Sequence, residues 1–183
     1  LGKLAEMTDE GIEIHFFTGN HDIWTFGYLE QEIGLIVHRA GIEEVIGSKK
    51  FFLAHGDGLD MREKKFQLIR KVFHSKLAQK LFGYLPPRLG QEFGYSWSKS
   101  NRIKHAVYDN KYLGEDKEHL VIFAKEFVKE KTDVDFLVFG HRHIALDLQI
   151  TKNARIIILG DFLNQFSYGV FDGENFWLDY FEA

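Results

Sequence analysis

The chain has 183 residues, 45% of them hydrophobic with 18 Phe and 7 Tyr, which suits one domain with an ample core. It holds no cysteine, which excludes disulfides and thiolate-ligated zinc, and no run of about 18 apolar residues that would span a membrane as a helix. The net charge of -4 hides an asymmetry: residues 62–104 carry eleven Lys and Arg against Glu63 and Glu92, a net of +9, while the other 12 basic and 25 acidic residues net -13.

In chain order, Leu1 to Met7 reads as the tail of a helix already under way, so the chain is expected to be a fragment lacking its true N-terminus. Ile12 to Phe17 is a β-like run that ends at Thr18-Gly19-Asn20-His21-Asp22. Leu35-Ile36-Val37 and Glu44-Val45-Ile46 read as short strands. Lys50 to Ala54 is another, and it ends at His55-Gly56-Asp57.

From Met61 to about Gly114 the strand pattern stops. Phe66, Ile69, Phe73, Leu77 and Leu81 fall three or four apart, an apolar helix face opposite Lys and Arg. Pro86-Pro87 break it, and a weaker helix carries Phe93, Trp97 and Ile103. Some 50 residues of helix between two strands is too long for a plain connection, so 61–114 is expected to form a cap or lid inserted into a single domain, 1–183. Its charge predicts an anionic partner. An overall pI of 6.1 argues against nucleic acid.

Helical spacing returns at Leu120, Val121, Phe123, Ala124, Phe127 and Val128. Val134 to Phe139 then forms a buried strand ending at Gly140-His141-Arg142-His143, and Arg155 to Leu159 another ending at Gly160-Asp161. Tyr168 to Leu178 reads as a hairpin about Asp172-Gly173. Alternating strands and helices make the class a layered α/β fold.

Ligands in open α/β sheets come from loops at the carboxyl ends of strands. Asn20, His55 and the 140–143 run all sit at such ends, which predicts one shared neighbourhood. Imidazole with side-chain oxygen suits Mn, Fe or Zn, and two such ions can clamp a phosphoryl group.

Those three runs resemble the later motifs of the calcineurin-like metallophosphoesterase superfamily. The resemblance implies a four-layer α/β/β/α sandwich, here incomplete at its N-terminus, around a dinuclear centre. It implies that Asn20, His55 and His141 bind one divalent metal and His143 the other, with Mn2+ as the expected ion. His21 would act in catalysis, stabilising the transition state or protonating the leaving group, oriented by Asp22. Asp57 would be a carboxylate fixing a ligand imidazole.

Within that superfamily the chain is similar to the UDP-2,3-diacylglucosamine hydrolase group of lipid A biosynthesis. The basic helix after His55-Gly56-Asp57-Gly58-Leu59, the spacing Ser98-x-x-Asn101-Arg102-x-x-His105, and Gly160-Asp161-Phe162 carry this part of the resemblance. It implies a lipid-linked nucleotide substrate bound by Ser98, Asn101, Arg102 and His105. It also implies a cytoplasmic enzyme, peripheral on the inner membrane of a Gram-negative bacterium through its cap. His21 stands where many proteobacterial relatives carry Arg, and Arg142 replaces a smaller residue between the two histidines. The family's Asp-x-His and upstream Gly-Asp are absent from the 183 residues, so weak metal binding and no useful activity are expected of this stretch alone. Another nucleotide or phosphodiester substrate, or a non-catalytic phosphoesterase-like scaffold, remain the alternatives.

Overall fold

The computed structural model describes residues 1–59, 68, 71–96 and 111–182. A five-stranded mixed sheet forms its centre. Its strands are β3 (Ile42–Ile46), β4 (Lys49–Ala54), β5 (Phe136–Phe139), β6 (Ala145–Gln149) and β7 (Arg155–Leu159), in the order β3-β4-β5-β7-β6. β4, β5 and β7 run parallel, so their carboxyl ends open to one side. β3 and β6 pair antiparallel at the two edges.

β5 is buried along its whole length, which is why it reads as an unbroken apolar run. Alternation sends its side chains to two different cores. Leu137 and Phe139, with Phe52, Ile156 and Ile158, pack under helix α4 (His119–Glu130) through its Leu120, Val121, Ala124 and Val128. Phe136 and Val138, with Phe51 and Ile157, pack beneath the hairpin of β8 (Ser167–Phe171) and β9 (Phe176–Tyr180) through Phe171, Phe176 and Leu178. The second core is aromatic: Phe51 lies 5.0 Å, centroid to centroid, from both Phe136 and Phe171. Helix, sheet and hairpin thus stack as three layers.

The end of the sheet away from the candidate site is tied by charge. Lys50 Nζ meets Asp133 at 2.6 Å and Lys49 Nζ meets Asp135 at 3.3 Å, while Asp135 also accepts from the Lys50 backbone N–H. These contacts hold β4 and β5 in register.

Before the sheet come α1 (Gly2–Asp9), β1 (His15–Phe17), α2 (Tyr28–Glu32) and β2 (Ile36–His38), with β1 and β2 parallel. Two elements escaped the sequence pattern, α2 and β6. α2 is little more than one helical turn, and β6 is a half-exposed edge strand without the continuous apolar run of its neighbours. The strand expected from Ile12 starts only at His15, and that expected from Val134 starts at Phe136.

The described part of the middle segment is helical at 71–74, Lys76–Gly83 (α3) and 87–96. Ser75 caps α3 by accepting from the Ala78 N–H. The apolar stripe expected there divides. Phe73 and Phe82 pack on Trp24, whereas Leu77 and Leu81 are 68% and 60% exposed. Phe66, Ile69, Trp97 and Ile103 lie outside the described residues.

Candidate active site

Each histidine run follows a strand at the same end of the fold. His55 leaves β4 and His141 leaves β5, its parallel neighbour, and the Gly140 N–H donates to the His55 carbonyl at 3.0 Å. The two imidazoles stand edge to face with centroids 5.2 Å apart. The loop after β1 closes on them from the side. Gly19 lies so near His55 that a Cβ there would sit 2.7 Å from Cε1 and 2.8 Å from Nε2. Only a residue without a side chain permits that approach.

Gly56 makes a similar though looser approach to the second loop. Its φ is 114°, and an added Cβ would lie 3.2 Å from both His141 Cβ and Leu120 Cδ2. The chain therefore turns between His55 and buried Asp57 while touching both the 141 loop and α4.

Electrostatics place the remaining candidates around His55. Burial lowers the tendency of that imidazole to protonate; the charges of Asp57 and Asp22 oppose this, and those of His21 and His143 reinforce it. Asp22 folds back to accept from the Gly19 N–H, which closes the loop holding half-buried Asn20 and exposed His21. So Asn20, His21, Asp22, His55, Asp57, His141 and His143 share one end of the sheet. Ser98, Asn101, Arg102 and His105 lie outside the described residues.

His141 has the stronger perturbation. Burial first, then His55, His119, Arg142 and His143, push it from 6.5 down to about 3. Burial therefore favours the neutral imidazole of His141 near neutral pH. Its backbone is also unusual: φ is 60°, and the Arg142 N–H donates to Gly140 O at 2.7 Å, closing a γ-turn over it. Such a non-glycine conformation costs roughly 1–3 kcal/mol.

The donors fit a divalent cation in kind. His55 Nε2 is buried with no hydrogen-bond partner among the described residues, a costly state for a polar atom unless a ligand satisfies it. Neutral imidazoles are the form that binds metal. Among the described residues, however, no three His, Asp or Glu side chains converge as a ready-made cage.

Several partners of this site were not among the site residues expected from the sequence. Glu118, the N-cap residue of α4, is fully buried and receives both Arg142 Nε at 2.9 Å and Nη2 at 3.2 Å. The His119 ring stands edge-on to His141 with centroids at 5.9 Å. Asp161, after β7, is the carboxylate nearest in role to His143. Burial works against its ionisation, but N–H groups of Asn164, Leu163 and Gln165 and the His143 charge outweigh it. Gln165 Nε2 bridges the two by donating to His143 O and Asp161 Oδ2, at 2.6 and 3.2 Å. In the sequence Asp161 was marked by its position at the end of a strand and by the Gly160-Asp161-Phe162 run.

Trp24, three residues after His21, lines a cavity of about 450 Å³ together with Phe26, Phe82, Leu85, Pro87 and Gln91. Trp24 ties the loop after β1 to the middle segment. The indole N–H donates to Phe73 O at 2.8 Å and the ring lies 4.7 Å from Phe82.

No family model matches the chain. It is similar to the UDP-2,3-diacylglucosamine hydrolase of Porphyromonas gingivalis, 40% identical over all of this chain and 74% of that protein. It is 27% identical to the protein of that name from Psychromonas ingrahamii, over 91% of this chain and 67% of the relative. With the Vibrio cholerae protein of the same name the identity is 26%, over 92% of this chain and 69% of the relative.

Proposed function

The chain belongs to the UDP-2,3-diacylglucosamine hydrolase family, and we propose that it hydrolyses the pyrophosphate bond of UDP-2,3-diacylglucosamine, releasing UMP and 2,3-diacylglucosamine 1-phosphate in lipid A biosynthesis. The observation that carries the chemistry is the pairing of His55 and His141, two imidazoles held away from protonation by burial, one with an orphaned Nε2.

In this reading the helix, sheet and hairpin layers would be part of the α/β/β/α sandwich of the metallophosphoesterases. Asn20, His55 and His141 would hold one divalent ion, and His143 would serve a second, Mn2+ being suited to such nitrogen and oxygen donors. A divalent cation there supplies Lewis acidity toward phosphoryl oxygens and acidifies water. The chain's own residues do the rest. As a water oxygen bonds to phosphorus it releases a proton to solvent, while the P–O bond to the leaving phosphate breaks and that oxygen needs a proton. A ring N–H of His21 donates it, from a loop that Asp22 locks through Gly19. Asp57, buried beside His55, steadies that imidazole's orientation.

The cavity at Trp24 and Phe82 would take an acyl chain against its largely apolar walls. Exposed Leu77, Leu81, Tyr84, Leu85 and Leu89 give the cap an apolar outer surface beside Lys76, Lys80 and Arg88. That combination suits peripheral attachment to an anionic membrane. No helix among the described residues is long and apolar enough to cross one.

UMP release by the native protein, supplied with Mn2+ and either UDP-2,3-diacylglucosamine or soluble UDP-sugars, tests the proposal. Release from the lipid alone is the expected result. Equal turnover of both would move the substrate to another nucleotide.

A further inference from the structure

The chemistry above uses neither Glu118 nor Arg142, yet both are buried, at 0% and 7% exposure. Burying two charges is costly unless they meet in good geometry. Here they do, through two contacts between guanidinium and carboxylate, and Nη2 also donates to Lys111 O at 3.0 Å. Glu118 occupies the N-cap position of α4 but makes no side-chain cap bond there. Its carboxylate instead receives the Arg142 guanidinium from the loop after β5.

What the pair grips is the turn over His141. The Arg142 N–H closes that turn onto Gly140 O, while the Arg142 side chain fastens the same residue to the start of α4. A residue in the left-handed region persists where its surroundings over-determine it. The ring is referred to the same place. His119, one residue after Glu118 and 3.5 Å from its Oε1, stands edge-on to the His141 imidazole. Leu120 and Val121, fully buried, root that helical turn in the core.

We propose that the Glu118–Arg142 ion pair is a positioning device for His141: it holds the strained turn and so aims the imidazole toward His55. The start of α4, and not the sheet alone, then sets the geometry of the site. Its importance for turnover rests on the metallophosphoesterase reading; the positioning itself does not.

The rival is a pair that merely anchors the helix. Replacing both partners together, Glu118→Leu with Arg142→Met, separates the two, because apolar residues of similar size commonly preserve or raise stability at buried ion pairs. Histidine ring ¹H–¹⁵N spectra of the metal-free protein give the deciding readout. The wild type is expected to show one sharp set of signals for His141. The double variant should show broadened or doubled signals, with Mn2+ affinity lowered about 10–100-fold. Unchanged ring signals and unchanged affinity in a stable double variant would overturn the proposal. Should that variant not fold, Arg142→Lys, which keeps the charge but loses the fork, is read in the same way. A wild type that binds no Mn2+ refutes the metal reading, while the ring spectra still decide the positioning.

Discussion

Gly19 and His55 come from different strands, yet the glycine's missing methyl group would overlap the imidazole, at 2.7 Å from Cε1. The loop that carries Asn20 and His21 can reach His55 only because of that absence. A Gly19→Ala variant should therefore displace the ring and leave the fold standing. The expected outcome is a fall in Mn2+ affinity of about 10–100-fold, as for other changes that misplace a ligand imidazole. Titration calorimetry would measure it, beside a thermal unfolding midpoint that hardly moves.

A metal held as proposed should be removable and restorable. Chelator-treated native protein is expected to stop releasing UMP and to recover when Mn2+ is restored. His55→Ala should not recover, with activity more than about 100-fold down, beyond the loss typical of supporting residues. Full recovery of His55→Ala would remove this imidazole from the site.

Acid should destabilise the metal-free protein through His141. Its folded value of about 3 lies below the 6.5 of an unfolded histidine. Between these two, the unfolded chain binds a proton that the folded chain refuses. Stability from this group is thus complete above pH 6.5 and declines as pH falls toward 3, by on the order of 5 kcal/mol across the window. Denaturant unfolding at several pH values should give a flatter profile for His141→Asn, whose asparagine also tolerates the positive φ. Identical profiles would mean that burial does not control this ring.

Leu120 is fully buried where α4 meets Gly56 and the sheet. Truncation to Ala should cost about 2–5 kcal/mol, visible as a lower denaturant midpoint. A loss below about 1 kcal/mol would show that the helix can settle onto the sheet without it.

Trp24 should matter for the lipid and not for the phosphate chemistry. Trp24→Leu removes the N–H bond to Phe73 and one wall of the cavity. KM for the diacyl substrate is expected to rise about 10-fold or more, with kcat on a short-chain analogue little changed. Equal effects on both substrates would instead make Trp24 a brace for the His21 loop.

Much of this architecture was readable along the chain. The apolar runs of β4, β5 and β7 end at His55, Gly140 and Gly160 as expected, and the 3.6-residue spacing of Leu120, Val121, Ala124 and Val128 marked α4. The hairpin turns at Asp172-Gly173, with Asp172 Oδ1 accepting from the N–H groups of Glu174 and Asn175. These features are local, because backbone geometry ties side-chain direction to spacing between near neighbours. Shared location at the strand ends also followed, since parallel strands place their carboxyl ends together.

Tertiary structure decided the rest. Strand order β3-β4-β5-β7-β6 puts β4 beside β5 and so His55 beside His141, although 85 residues separate those rings in sequence. Arg142, in sequence only an odd residue between two histidines, became meaningful when Glu118 met it in the core. Leu77 and Leu81 continue the same stripe as Phe73, but only Phe73 finds Trp24 to pack against. Periodicity declares which side of an element is apolar. What meets that side, and which buried charge is paired, depends on residues distant in the chain that no local pattern records.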